Sequence, residues 1–192
     1  EVPVVPNSFS VMFAGNIGEA QDFPAILNAA EILRNEPRIR WLIVGDGRAA
    51  GWVRSEIARR NLGGQVLMLG HYPLERMPSF FRHADALLVS LKDEPIFSMT
   101  IPGKVQSYMA TGIPLVAMLN GEGTEVVSGS GAGLTCSAGD AEGLACRVLE
   151  LSQMKVEQRY EIGQLAKRAY MQKFERNMLL TRLESWLGGL CA

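Results

Sequence analysis

The chain has 192 residues, 47% of them hydrophobic and 20% charged, and its 19 Lys and Arg against 20 Asp and Glu leave a formal net charge of -1. That length and balance describe one globular domain with a core of its own; they exclude a disordered chain and give no pull towards a polyanion, so no nucleic-acid partner is expected. The cysteines Cys136, Cys146 and Cys191 lack C-x-x-C spacing and fit a reducing cytoplasmic compartment, and no window approaches the ~20 uninterrupted apolar residues of a membrane span.

In chain order, residues 1–9 read as a linker arriving from an upstream domain. Ser10 to Ala14 is a short apolar run that ends in Gly15-Asn16-Ile17-Gly18 and leads into Phe23, Ile26, Leu27, Ala30 and Leu33 at helical spacing. The unit repeats with Trp41 to Val44, the loop Gly45-Asp46-Gly47-Arg48, and an amphipathic stretch from Trp52 to Arg60. Val66 to Leu69 is a third strand, exiting at Gly70-His71-Tyr72-Pro73. Leu74, Met77, Phe80, Phe81 and Ala84 follow a helical period, and Ala86 to Val89 is a buried strand opening into a long polar loop. A helix from about Gly103 to Ala110, a strand at Leu115 to Met118, a glycine-rich run from Gly121 to Gly133 and a short strand near Leu134-Thr135 follow. Asp140 is placed to cap the helix that carries Leu144, Val148 and Leu151. Residues 155–188 read as helices, with Leu179, Leu183, Trp186 and Leu187 forming an apolar face that needs a partner.

Strands apolar throughout, each followed by a helix, predict an α/β Rossmann-like three-layer domain over residues 10–154, with a mostly parallel six-stranded sheet and a helical C-terminal tail. Right-handed crossovers bring every strand exit to one edge, where ligands of open α/β sheets bind. The candidate site residues fall at those exits.

Gly15, Asn16 and Gly18 offer backbone N–H groups to a phosphate, or simply form a tight turn. Gly45 to Gly51 approaches a dinucleotide fingerprint, but the next strand exit lacks the Asp or Glu that would hold ribose hydroxyls. Gly45 and Gly47 stay as candidates, and Arg48 is either a diphosphate ligand or a solvated cation. Between Glu94 and Pro114, Ser98, Thr100 and Lys104 gather near a helix start that Pro102 suits and Thr100 can cap. Lys104 in a first turn opposes the helix dipole unless an anion binds there. His71 and His83 form no metal set, so no metal or other cofactor is expected. The basic residues Lys167, Arg168, Lys173, Arg176 and Arg182 invite a membrane-surface role, but the interspersed Glu161, Glu175 and Glu184 favour a mixed solvated face.

Gly45-Asp46-Gly47, Ala84-Asp85-Ala86 and the run Lys104-Val105-Gln106-Ser107-Tyr108-Met109-Ala110-Thr111-Gly112-Ile113-Pro114 together resemble the C-terminal domain of the retaining GT-B glycosyltransferases, across about Val11 to Leu187. Where many members of that family carry an E-x7-E motif, this chain has Met99 and Ser107, and its Thr-Ile-Pro-Gly-Lys version is similar to a subgroup that transfers N-acetylated amino sugars in bacterial surface-polysaccharide assembly. The family lysine after the first glycine loop is also replaced, with Gln21 nearby.

The resemblance implies a UDP-sugar donor and a glycan or lipid-linked acceptor held by an amino-terminal domain; the expected location is the cytoplasm, and a lipid-linked acceptor would suit the inner face of the membrane. It implies charge stabilisation by Lys104 and Arg48, a nucleobase contact near His71, a ribose contact from Ser107, and sugar or diphosphate contacts from Glu122 and Glu125. Three alternatives stay open at this level: a UDP-sugar epimerase, a nicotinamide-dependent oxidoreductase, and a nucleotide-binding module without catalysis.

Overall fold

The computed structural model describes residues 7–190; residues 1–6 of the expected linker and Cys191 lie outside them. Six strands, β1 (Phe9–Ala14), β2 (Ile39–Val44), β3 (Val66–Gly70), β4 (Ala86–Ser90), β5 (Leu115–Met118) and β6 (Gly133–Cys136), form one sheet in the order β3-β2-β1-β4-β5-β6. Every pairing is parallel. The connection reverses direction between β1 and β4, so the loops leaving those two strands diverge and open a crevice at the carboxyl edge.

Alternation along the strands feeds two cores. Val11 and Phe13 of β1 point to the face covered by α1 (Phe23–Ile32), α2 (Ala50–Arg59) and α7 (Ala141–Gln153). Met12 and Ala14 point to the face covered by α3 (Met77–Phe81), α5 (Gly103–Thr111), α6 (Glu122–Ser130) and α8 (Val156–Lys173). Phe23, Ile26, Leu27, Ala30 and Leu33 are all buried, as their helical period requires. Asp140 caps α7 by accepting from Gly143 N at 2.8 Å.

The expected strands exist, each within two residues of its expected ends. The largest difference lies in the run from Gly121 to Gly133, which reads as loop but holds α6. That helix has few apolar residues; Gly123 and Val127 bury its inner face against Pro102 and Leu119, so packing prevails over weak propensity. Leu74 to Arg76 is a 3-10 turn that leads into a short α3, and His83 is exposed in the turn after it instead of on the helix. The tail divides into α8 and α9 (Arg176–Leu190). Leu179, Leu183, Trp186 and Leu187 on α9 are all exposed.

The contact between α5 and α8 is unusually close. A Cβ on Gly163 of α8 would collide with the Gly112 carbonyl at the end of α5, so glycine is what lets the two helices meet. No helix among the described residues is long and apolar enough to cross a membrane.

Candidate functional site

At the carboxyl edge, on one side of the switch point, the ends of β1, β2 and β3 are tied into a floor of main chain. Gly15 N donates to Val44 O at 2.9 Å, and Gly45 N donates to Gly70 O at 2.8 Å. The three glycines have φ of +140°, +140° and +85°, a range that side-chain-bearing residues rarely adopt. A Cβ on Gly45 would strike the Gly15 carbonyl, and one on Gly47 would strike the Ile17 carbonyl. The fingerprint-like glycines are therefore consumed in locking the β1–α1 loop onto the β2–α2 loop, with Ile17 N to Asp46 O at 2.8 Å and Ala49 N to Ile17 O at 3.0 Å closing the joint.

Of the two readings of Gly15 to Gly18, these bonds favour the tight turn. Three of its four N–H groups already have protein partners: Gly15 and Ile17 bond the neighbouring loop, and Gly18 N donates to Gln21 Oε1 at 3.0 Å. Gln21, standing near the replaced family lysine, folds back to cap its own turn.

Above the floor lies a cavity of about 480 Å3. Gly15, Asn16, Gly45, His71, Lys104 and Ser107 line it, so six of the residues singled out from the sequence come together here. Tyr72, Leu74, Met77, Phe81 and Tyr108 supply its apolar walls. Phe81 and Tyr108 meet edge to face at 5.7 Å, and Tyr72 stacks at a tilt on Phe80 at 4.4 Å.

Lys104 reaches this cavity through the gap that Gly15 leaves: a Cβ on Gly15 would lie 2.6 Å from the lysine Cε. Its ammonium sits 4.1 Å from the centre of the Phe13 ring. Burial lowers its pKa from the ordinary 10.5 to about 8. Lys104 thus keeps most of its charge at neutral pH while missing part of its hydration, the condition in which an entering anion is held firmly. The first turn of α5 from which it projects has no side-chain cap, so N–H groups there stay available.

Tyr108 was not singled out from the sequence and organises the site. Its buried hydroxyl donates to Ala14 O and accepts from Ala14 N, both at 2.9 Å, pinning α5 to the end of β1. Burial pushes its pKa well up, so it stays protonated and can do both. An aromatic beside a core methionine reads as ordinary helix packing, and only the clustering of Tyr72, Phe80 and Phe81 after a strand exit hinted at an aromatic wall.

Several expected partners fall elsewhere. Thr100 does not cap α5; its hydroxyl donates to Phe97 O at 3.3 Å, and Ser98 donates to Pro95 O at 2.8 Å, so both serve the short helix α4 (Pro95–Ser98). The cap position is Pro102, which has no side-chain acceptor. Ser107 borders the cavity with its hydroxyl bonded to Gly103 O at 3.0 Å, and Met99 is exposed. Glu122 and Glu125 occupy the first turn of α6, where carboxylates suit the positive end of a helix. Arg48 does not join Lys104: with Gly18 it borders a second hollow of about 310 Å3 that shares no residue with the first. Asp85, beneath the sheet, accepts from Ser10 N at 2.9 Å and pairs with Arg159 at 3.5 Å. Among the described residues no group of His, Cys, Asp and Glu stands close enough to hold a metal, and Cys136 and Cys146 are free thiols.

An apolar slot with a peptide floor, an ammonium and a helix start at one end suits a flat ring that carries an anion. Comparison with known proteins gives the family and the fold. The family model described as glycosyl transferases group 1 matches residues 8–154. A probable glycosyltransferase of Pseudomonas aeruginosa, WbjE, is 26% identical over 144 residues, 74% of this chain and 35% of its own length. Among solved structures, Anabaena Alr3699/HepE in complex with UDP and glucose superposes with a TM-score of 0.79 at 18% identity, covering 95% of this chain and 48% of that one. The C-terminal domain of LpcC, a glycosyl transferase group 1 family protein from Francisella tularensis, does so with a TM-score of 0.71 at 16% identity, covering 89% of this chain and 88% of that domain.

Proposed function

This chain belongs to the glycosyl transferases group 1 family, and from that premise we propose that it is the donor-binding half of a GT-B enzyme that takes its sugar from UDP. The observation that carries the reading is the partly desolvated Lys104 ammonium in an apolar cavity at the carboxyl edge of the sheet. The nucleobase lies between the Tyr72–Phe81 wall and the main-chain floor near His71, the ribose meets Ser107, and the diphosphate takes its counter-charge from Lys104 and the first turn of α5. The UDP bound to Alr3699/HepE supports the choice of nucleotide.

The transferred group, on this reading, is an N-acetylated amino sugar, passed to a glycan or lipid-linked acceptor with retention at the anomeric carbon. As the bond to the diphosphate breaks, negative charge grows on the leaving oxygen, and a fixed ammonium and fixed N–H dipoles in a water-poor slot stabilise that charge more than they stabilise the ground state. No metal or cofactor is required, since the protein supplies the counter-charge. Any group that activates the acceptor, and most of the surface that holds it, lie outside this chain, which spans about a third of the length of WbjE.

Calorimetric titration of this chain with UDP, GDP, ADP and NADH checks the reading. UDP should bind tightest, and Lys104→Met should weaken it by about tenfold, the worth of one charge-assisted contact. Preference for NADH, or indifference to Lys104→Met, would refute it.

A further inference from the structure

The β1–α1 loop serves two hollows: Gly15 and Asn16 border the cavity just described, while Gly18 and Glu19 border the second. That second hollow gathers Arg48, Lys92 and Glu19 around the indole of Trp52. None of the three charged side chains is engaged in a hydrogen bond or an ion pair with another described residue, although opposite charges share one small space. Arg48 also precedes α2, a helix with no side-chain cap and no acid in its first turn, so the start of that helix offers the guanidinium no counter-charge. Trp52 stands 44% exposed at the rim, a large apolar face with no role in the core.

The hollow is also rigidly built. Ser90 Oγ, a buried hydroxyl, donates to Gln21 O at 2.7 Å, and Lys92 N donates to Ala20 O at 2.9 Å. These bonds fix the turn carrying Glu19 to the end of β4, and the Ala49–Ile17 bond fixes the segment carrying Arg48 to the same loop. The backbone of the walls is therefore in place before any ligand arrives, so binding need order only the side chains.

Two cations, one carboxylate and an exposed indole in a preformed hollow of this size match one ligand chemistry, a sugar ring bearing an oxyanion. We propose that this second hollow binds an acidic sugar unit of the acceptor glycan. Arg48 and Lys92 hold its carboxylate or phosphate, Trp52 covers the apolar face of the ring, and Glu19 accepts from a ring hydroxyl. The assignment to the acceptor rests on reading the first cavity as the donor site: both open on the same edge of the sheet, and a transferase brings its two substrates to one edge. The hollow then selects acceptors by charge, which the Lys104 cavity cannot do.

The test is titration of this chain, free and saturated with UDP, with glucuronate, glucose 6-phosphate, inorganic phosphate and glucose, followed by Trp fluorescence and calorimetry. Glucuronate or glucose 6-phosphate should saturate the UDP-loaded chain, with glucose and inorganic phosphate each at least about tenfold weaker, since each lacks one half of the recognised ligand. Arg48→Gln with Lys92→Gln should weaken the acidic sugar by about tenfold or more and leave UDP binding unchanged, and Trp52→Ala should remove the advantage of the sugar phosphate over phosphate. These side chains are at the surface, so melting curves of the variants should overlay that of the parent. Failure of both acidic sugars to saturate, equal binding of glucose, or displacement of the acidic sugar by UDP would each overturn the proposal. Saturation by glucuronate in a chain that does not bind UDP would refute the donor reading and leave the acidic-sugar site standing.

Discussion

Lys104 is held in tension between two surroundings. Burial lowers its pKa to about 8, while the Phe13 face 4.1 Å away favours the charged form. A lysine depressed in the folded state costs stability wherever both states are protonated, that is below about pH 8, and the cost is relieved as pH climbs from 8 towards 10.5. With the ring returning part of the loss, Lys104→Met should stabilise the chain by about 1 kcal/mol at pH 7, and the gain should vanish above about pH 10. Denaturant unfolding at pH 7 and pH 10 checks this; a destabilised variant at pH 7 would mean that the ammonium is better solvated than its position indicates. UDP affinity should likewise fall as pH rises through 8 in the parent and stay flat in the variant, because above that pH binding must recruit a proton. The sequence announced Lys104 by its conflict with the helix dipole. It could not announce Tyr108, whose two bonds to Ala14 join residues 94 positions apart.

Among the elements, α5 matters most, because it carries Lys104, Ser107 and Tyr108 and is braced from behind by α8. Gly163 is the contact point of that brace. Helix propensity alone says that Gly163→Ala should stabilise α8 by about 1 kcal/mol, but the new methyl meets the Gly112 carbonyl, and overpacking against backbone costs about 1–3 kcal/mol. The expected net result is a lower denaturation midpoint, with UDP affinity reduced as α5 shifts; a midpoint that rises would show the brace to be looser than drawn. Strands and their exits were legible because buried parallel strands announce themselves as apolar runs ending in glycine. α6 was not, since its Glu, Gly, Thr and Ser residues become a helix only when Gly123 finds Pro102 and Leu119. Arg48 was legible as a cation at a strand exit but not in its direction: which hollow a loop side chain enters is decided by how two loops lock, and the lock at Gly45 and Gly47 involves carbonyls of residues some thirty positions earlier.

For the whole molecule, one edge of the sheet carries everything chemical that has been identified, and the apolar residues of α9 remain exposed. The chain should therefore bind donor nucleotide without transferring sugar, whereas a protein containing an acceptor-holding domain should do both; product analysis with a UDP-sugar and a glycan acceptor decides, and steady turnover by this chain alone would contradict the division of labour. The floor shared by Gly15, Gly45 and Gly70 has a consequence for descent. A floor built of main chain resists reshaping by substitution, since Gly15, Gly45 and Gly70 hold φ values that side-chain-bearing residues rarely adopt and a Cβ on Gly45 would strike the Gly15 carbonyl. Such a site is easiest to remodel at its walls: exchanging Tyr72, Leu74, Met77 or Phe81 changes the shape of the slot and leaves its base untouched.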